Sequence, residues 1–243
     1  MIKFDFETYV NKFIDMNEYN EIYNHKNEYI QKLRNSDMNG WTKEFDKEII
    51  EDINTTARYI KENFDCLVVI GIGGSFLGSY SFEKMFKSYF NDDSFEIIYA
   101  GTTLSSKYLD ELLKYLKEKN FCINVISKSG TTMETCITYK LLKDLLKRKY
   151  PEEEIIKHII VTTDKENGSL REEVNEKGYK SFIIPNDIGG RYSFITPAHL
   201  LPLAINFNLK DIVDGYFDGK RYVDKAFEYA VKRYLLYKKN KLL

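Results

Sequence analysis

The chain has 243 residues, 43% apolar and 30% charged, with 36 Lys and Arg against 37 Asp and Glu for a net charge of -1. This is enough apolar material for one large domain or two small ones. The even charge balance supplies no basic field for nucleic acid, and no uninterrupted apolar run approaches the length of a membrane span.

The N-terminal sequence MIKFDFETYV is acidic and lacks an apolar core, so it does not read as a signal peptide. Residues 1–63 are polar and rich in helix formers, and are expected to lie against the domain that follows. A helical stretch over 18–34 gives way to Ser36-Asp37-Met38-Asn39-Gly40, which has turn chemistry. Helical spacing resumes over 42–63, where Phe45, Ile49, Ile50, Ile53 and Ile60 recur at threes and fours.

The texture then changes. Short apolar runs at 66–70, 95–100, 121–126, 155–162 and 179–184 read as buried strands. Helical stretches at 76–90, 105–119, 132–149 and 169–177 separate them. Alternating strands and helices predict an α/β fold: a doubly wound, five-stranded parallel sheet with helices on both faces. Such sheets bind ligands beyond the carboxyl ends of their strands. After Pro185 a loop leads to an apolar helix over 194–208, and two further helices are expected over 209–217 and 222–237. The last runs into Leu242-Leu243 with no Gly stop and no polar tail, which reads as a chain cut short. Cys66, Cys122 and Cys136 show no metal spacing and no CxxC, and are expected to be buried thiols of a protein kept in a reducing cytoplasm.

Three strand-to-helix loops carry the chemistry. Gly71-Ile72-Gly73-Gly74-Ser75 follows the first strand, where glycines let a backbone approach a ligand and helix N–H groups attract anions. A dinucleotide fingerprint would need glycine at Phe76, and a P-loop would need lysine at Ser79, so neither motif fits. The alternative is a tight turn that packs helix on strand. Ser127-Lys128-Ser129-Gly130-Thr131-Thr132 follows the third strand and gathers hydroxyls, an ammonium and free N–H groups, the donor set a phosphate dianion needs. Glu134 complements the helix dipole. The alternative is a helix start with surplus caps. After the fifth strand, Asn186-Asp187-Ile188-Gly189-Gly190-Arg191 offers a guanidinium beside paired glycines; Arg191 either stabilises charge on a substrate oxygen or forms a surface salt bridge.

Together, "GIGGS" after strand one, "SKSGTTMET" after strand three and "DIGGRYSFITP" after strand five resemble the glucose-6-phosphate isomerase (phosphoglucose isomerase) family. The resemblance spans nearly the whole chain and implies the sugar-isomerase (SIS-type) fold. On it, residues 1–63 form an N-terminal helical segment, 64–208 the first sugar-isomerase domain, and 209–243 the start of a connection to a second domain. It implies a phosphate held by Ser127, Lys128, Ser129 and Thr132, with Gly74 and Ser75 beside the sugar, Gly190 with the third loop, and Arg191 steadying a cis-enediolate. The implied reaction interconverts glucose 6-phosphate and fructose 6-phosphate without metal or organic cofactor. The implied partners are a sugar phosphate and a second copy of the chain, with no nucleic acid or membrane. The family's glutamate base, ring-opening histidine and late lysine have no counterpart in these 243 residues, so the chain alone is expected to be inactive. A non-catalytic phosphosugar-binding module and an isomerase of another sugar phosphate, such as mannose 6-phosphate, stand as alternatives. His199 occupies a position that is usually small in the family pattern. With prolines around it, it reads as a local packing change rather than a catalyst, and His25 and His158 read as structural or exposed.

Overall fold

The computed structural model describes residues 10–43, 47–90 and 93–239. Phe45, residues 1–9 of the N-terminal stretch and the closing residues 240–243 lie outside them. The chain forms two compact units, Gly40–Leu209 and a second made of Met1–Asn39 with Lys210–Leu243.

The larger unit is built on five parallel strands: β1 (Cys66–Ile70), β2 (Glu96–Ala100), β3 (Phe121–Ile126), β4 (Ile159–Thr163) and β5 (Lys180–Ile183), in the order β2-β1-β3-β4-β5. The central strands β1, β3 and β4 are buried along their whole length, which is why they read as largely apolar runs, with Asn124 and Thr162 pairing side chain to side chain inside (2.9 Å). The edge strands are partly exposed, and Lys180 faces solvent on β5.

Alternate residues of the strands face opposite layers. Cys66, Val68, Ile70, Phe121, Ile123, Val125 and Val161 pack in one cluster with Leu112 and Leu116 of α5 (Ser106–Lys117) and Tyr139, Leu142 and Leu146 of α6 (Met133–Lys149). On α3 (Lys47–Asn63), Ile53, Ala57 and Ile60 form the buried stripe. This helix packs on β1 and on α9 (Pro197–Asn206), which also meets α4 (Leu77–Phe86). Helix α9 is buried almost all round, as its uniformly apolar sequence requires.

Several predicted elements differ: the stretch over 18–34 is two helices parted at His25, and the helix expected over 76–90 ends at Phe86. The run 155–162 is not one strand: α7 (Glu152–His158) occupies its first half, and β4 begins at Ile159. Pro151 sits at the N-cap, three glutamates fill the first turn, and Lys157 and His158 close the last, so charge and capping favour a helix over the β-branched signal of Ile155 and Ile156. The helix expected over 194–208 is broken at Thr196, which is extended (φ -120°, ψ 164°) ahead of Pro197, as a residue preceding proline prefers. A 3-10 helix, Gly190–Ile195, precedes the break. Helix α8 (Ser169–Lys177) joins β4 to β5 and ends on Gly178 in the left-handed region.

In the smaller unit, α1 (Met16–Asn24), α2 (Lys26–Arg34) and α11 (Val223–Lys238) are joined by ion pairs, Lys26 to Asp224 (2.8 Å) and Lys238 to Glu18. Ile14, Val231, Leu235 and Leu236 form its core. Helix α10 (Leu209–Gly219) begins at the boundary of the two units. Among the described residues no helix is long and apolar enough to cross a membrane.

Cys66 and Cys122 are buried free thiols, as expected, and burial pushes the Cys66 thiol up to about 12. Cys136 is half-buried instead, because its position on the first turn of α6 brings it to the loop, where its Sγ donates to the Gly130 carbonyl (3.1 Å). His158 is buried with Nδ1 on the Phe121 carbonyl (2.8 Å), and His25 is exposed beside Glu28.

Candidate functional site

In the order β2-β1-β3, the chain leaves β1 in one direction and later returns past it to β3, so the loops after these two strands diverge and leave a crevice. The loops from the first and third strands therefore face each other across the switch point. A cleft of about 550 Å³ lies there. Ile72 and Ser75 line it from the first loop, and Ser127, Lys128, Ser129 and Thr132 from the second.

The hydroxyls of the second loop are set up as donors. Ser127 Oγ accepts from the Gly130 N–H (3.1 Å), which leaves its own proton free for a ligand. Ser129 Oγ accepts from the Thr131 N–H (3.3 Å) and hydroxyl (3.0 Å), with the same result. Thr132 is the N-cap of α6 by position, yet its side chain makes no capping bond. The first-turn N–H groups of a 17-residue helix thus end at the cleft without a side-chain acceptor at the cap. That disposes of the surplus-cap alternative for Thr132. Lys128 reaches across to the third loop, where its Nζ donates to the Asn186 carbonyl (3.0 Å).

A wall that the sequence did not single out comes from the loop between β4 and α8, through Asp164, Asn167 and Gly168. It is locked onto the second loop at backbone level. Gly130 (φ +70°) has no room for a Cβ, which would lie 2.7 Å from Ser169 Oγ, and a Cβ on Gly168 (φ +97°) would lie 2.7 Å from the Ser129 carbonyl oxygen. Ser169 Oγ donates to the Gly130 carbonyl (2.8 Å). Asp164 Oδ1 accepts from the Glu166 and Asn167 amides (2.8 and 2.9 Å), and these bonds hold its carboxyl below the usual range. The signal was Asp164 with Asn167-Gly168 at the carboxyl end of a strand; it looks like any Asx turn.

Gly74, Gly190 and Arg191 do not line this cleft. Gly74 and Gly190 instead mark where the first and third loops touch: a Cβ on Gly74 would lie 2.5 Å from the carbonyl carbon and oxygen of Gly190. Ser193 Oγ bridges the contact, 2.7 Å from the Gly190 carbonyl oxygen and 2.9 Å from that of Gly74. Arg191 is exposed and has no ion-pair partner among the described residues, which removes the salt-bridge alternative for it. Its loop is fastened from behind. The Gly40 N–H donates to the Asp187 carbonyl (2.8 Å), Lys43 pairs with the Asp187 carboxylate, and Trp41 stacks on Tyr192 at 5.4 Å and 14°. The Lys43 ammonium holds the Asp187 carboxyl below its ordinary range.

A family model for phosphoglucose isomerase matches residues 15–234. Glucose-6-phosphate isomerase of Streptococcus thermophilus (strain ATCC BAA-491 / LMD-9) is 36% identical over 98% of this chain and 58% of its own length. That of Staphylococcus aureus (strain Newman) is 43% identical over 84% of this chain and 49% of its own. The chain thus spans about half the length of the curated relatives it matches. Among solved structures, a hypothetical protein of Thermus thermophilus superposes with a TM-score of 0.61 at 30% identity, covering 77% of this chain and 46% of that one. The sheet order, the donor loop at its switch point and these matches agree: the chain belongs to the phosphoglucose isomerase family.

Proposed function

We propose that this chain carries the phosphate-holding part of a glucose-6-phosphate isomerase site. The phosphate sits on Ser127, Ser129 and Thr132 at the start of α6, with Lys128 adding positive potential. Ser75 meets the sugar from the first loop, and Arg191 faces the oxygen on which enediolate charge develops. The observation that carries this reading is the pair of hydroxyls of Ser127 and Ser129, which accept from within the loop and keep their protons free, at an uncapped helix N-terminus.

Moving a proton between C2 and C1 of the sugar needs a base. The carboxylate lining the cleft is Asp164, and two backbone amides make it a weak one. The chain alone therefore binds the sugar phosphate without turning it over, and the base is a glutamate outside these 243 residues. The free thiols suit a reducing cytoplasm, and the family resemblance suggests a homodimer, which sedimentation of the chain checks.

The test is a calorimetric titration with glucose 6-phosphate, together with a coupled assay for fructose 6-phosphate. Binding without turnover is the expected result. Absence of binding overturns the site, and turnover at ordinary enzymatic rates overturns the assignment of the base. Asp164 as the one carboxylate among the described residues lining the cleft also favours a second reading, a non-catalytic phosphosugar-binding module. In an isomerase, Arg191→Ala weakens an anionic enediolate analogue far more than glucose 6-phosphate; in a binding module both weaken alike.

A further inference from the structure

His199 is buried to 1% exposure on α9, outside the cleft, yet its ring touches α4 at Ser79, the first loop at Gly74 and the 3-10 helix of the third loop at Ser193, whose Oγ lies 3.1 Å from Nε2. The Ser79 N–H of α4 points at Nδ1 (3.1 Å). An amide can only donate, so Nδ1 carries no proton and the proton sits on Nε2. Nε2–H then donates to the Gly74 carbonyl (2.7 Å). Burial favours this neutral form and pushes the imidazole pKa down to about 4.

The consequence lies at the contact of the first and third loops. Where the half-buried Gly74 meets the exposed Gly190, two backbone carbonyl oxygens come together beside the buried His199 and Ser193 side chains. Neither can donate, so donors beside them must hold the two loops together. Ser193 has one proton and lies nearer the Gly190 carbonyl than that of Gly74. His199 supplies the other. The ring also rests on Gly78, where an added Cβ would lie 3.1 Å from the imidazole, so the residue fills a space that only a glycine on α4 leaves open.

We infer that His199 is a positioning residue of the ligand cleft: its Nε2–H fixes the turn Gly73–Ser75 against Gly190, and so sets where Ser75 and Arg191 stand relative to one ligand. The inference rests on the reading above, in which those two side chains meet the same sugar phosphate. It assigns a working role to a histidine that composition and spacing present only as packing.

Three variants separate positioning from packing. His199→Gln places an amide donor near Nε2, His199→Asn places an acceptor near Nδ1 and loses the Gly74 donor, and His199→Phe keeps the ring and loses both. Amide hydrogen exchange at Gly73–Ser75 is read in the ligand-free chain, and glucose 6-phosphate affinity by calorimetry, with thermal melts of each variant alongside. The expected result is that His199→Asn and His199→Phe speed exchange in the turn and weaken affinity, each about tenfold, while His199→Gln stays within about twofold of the parent. Equal behaviour of the Gln and Asn variants, or an unchanged turn in His199→Phe, overturns the inference. Failure of the parent to bind is a failure of the functional reading, and the exchange pattern then still decides whether His199 holds the turn. Should the variants not fold, ¹⁵N shifts of the parent imidazole decide: a proton on Nδ1, or a cation at neutral pH, refutes the role.

Discussion

Three alanine substitutions in the two facing loops should rank in an order set by geometry alone. At Gly74 the new methyl would lie 2.5 Å from the carbonyl carbon and oxygen of Gly190 and 2.7 Å from its Cα. Carbon atoms pack at about 3.5–4.0 Å, so the loops must part by roughly 1 Å. The obstacle is backbone and cannot rotate away. Overpacking of this kind costs about 1–3 kcal/mol. The same shift strains the 2.7 Å bond from His199 to the Gly74 carbonyl, worth about 1 kcal/mol more. The total for Gly74→Ala is about 2–4 kcal/mol. At Gly190 the methyl would meet the Gly74 Cα at 3.6 Å, an ordinary contact, and the cost should stay within about 0.5 kcal/mol. At Gly73 there is open space, but φ is +51°, so only the left-handed strain of about 1 kcal/mol applies. Urea unfolding followed by far-UV circular dichroism measures all three. Gly74→Ala falling within about 0.5 kcal/mol of Gly190→Ala would refute the close-contact argument.

Acid should unfold the protein partly through His199. The unfolded imidazole takes a proton near pH 6.5, whereas the folded one resists until about pH 4, so stability falls as pH drops from 6.5 to 4 and falls no further from this source below that. The span corresponds to about 3 kcal/mol. The unfolding free energy of the parent should fall by about that amount relative to His199→Gln over the interval, as urea titrations at each pH measure; Asp164 and Asp187, whose carboxyls lie below their ordinary range, act on both alike. Ser127→Ala removes a free donor and the acceptor of the Gly130 N–H, and calorimetry should show glucose 6-phosphate affinity about tenfold weaker. Leu142→Ala, at 1% exposure in the core between α6 and the sheet, should cost about 2–5 kcal/mol by urea unfolding with little change in the cleft.

Much of the sheet was legible because its central strands are wholly buried, and total burial leaves β-branched runs such as Cys66-Leu67-Val68-Val69-Ile70. The donor loop was legible because its hydroxyl residues crowd one strand end. What failed has physical causes. Ile155 and Ile156 carry β-branched side chains on a helix whose capping and charge outweigh propensity. The wall formed by Asp164, Asn167 and Gly168 uses the residues of any turn, and its proximity to Ser129 is a fact of strand order. The tight contact of Gly74 with Gly190 left no trace, because only the fold brings together residues so far apart in the chain. His199 depends on four partners, Gly74, Ser79, Gly78 and Ser193, that no periodicity connects.

Trp41, the only tryptophan of the chain, lies stacked on Tyr192, the residue after Arg191. The protein therefore carries a built-in optical probe at its third loop. Its fluorescence reports the local state of that loop, with no label added. A tryptophan-monitored melt that precedes the circular dichroism melt would show the Arg191 loop coming free while the parallel sheet still stands, and would turn a global denaturation experiment into a measure of how firmly the site itself is held.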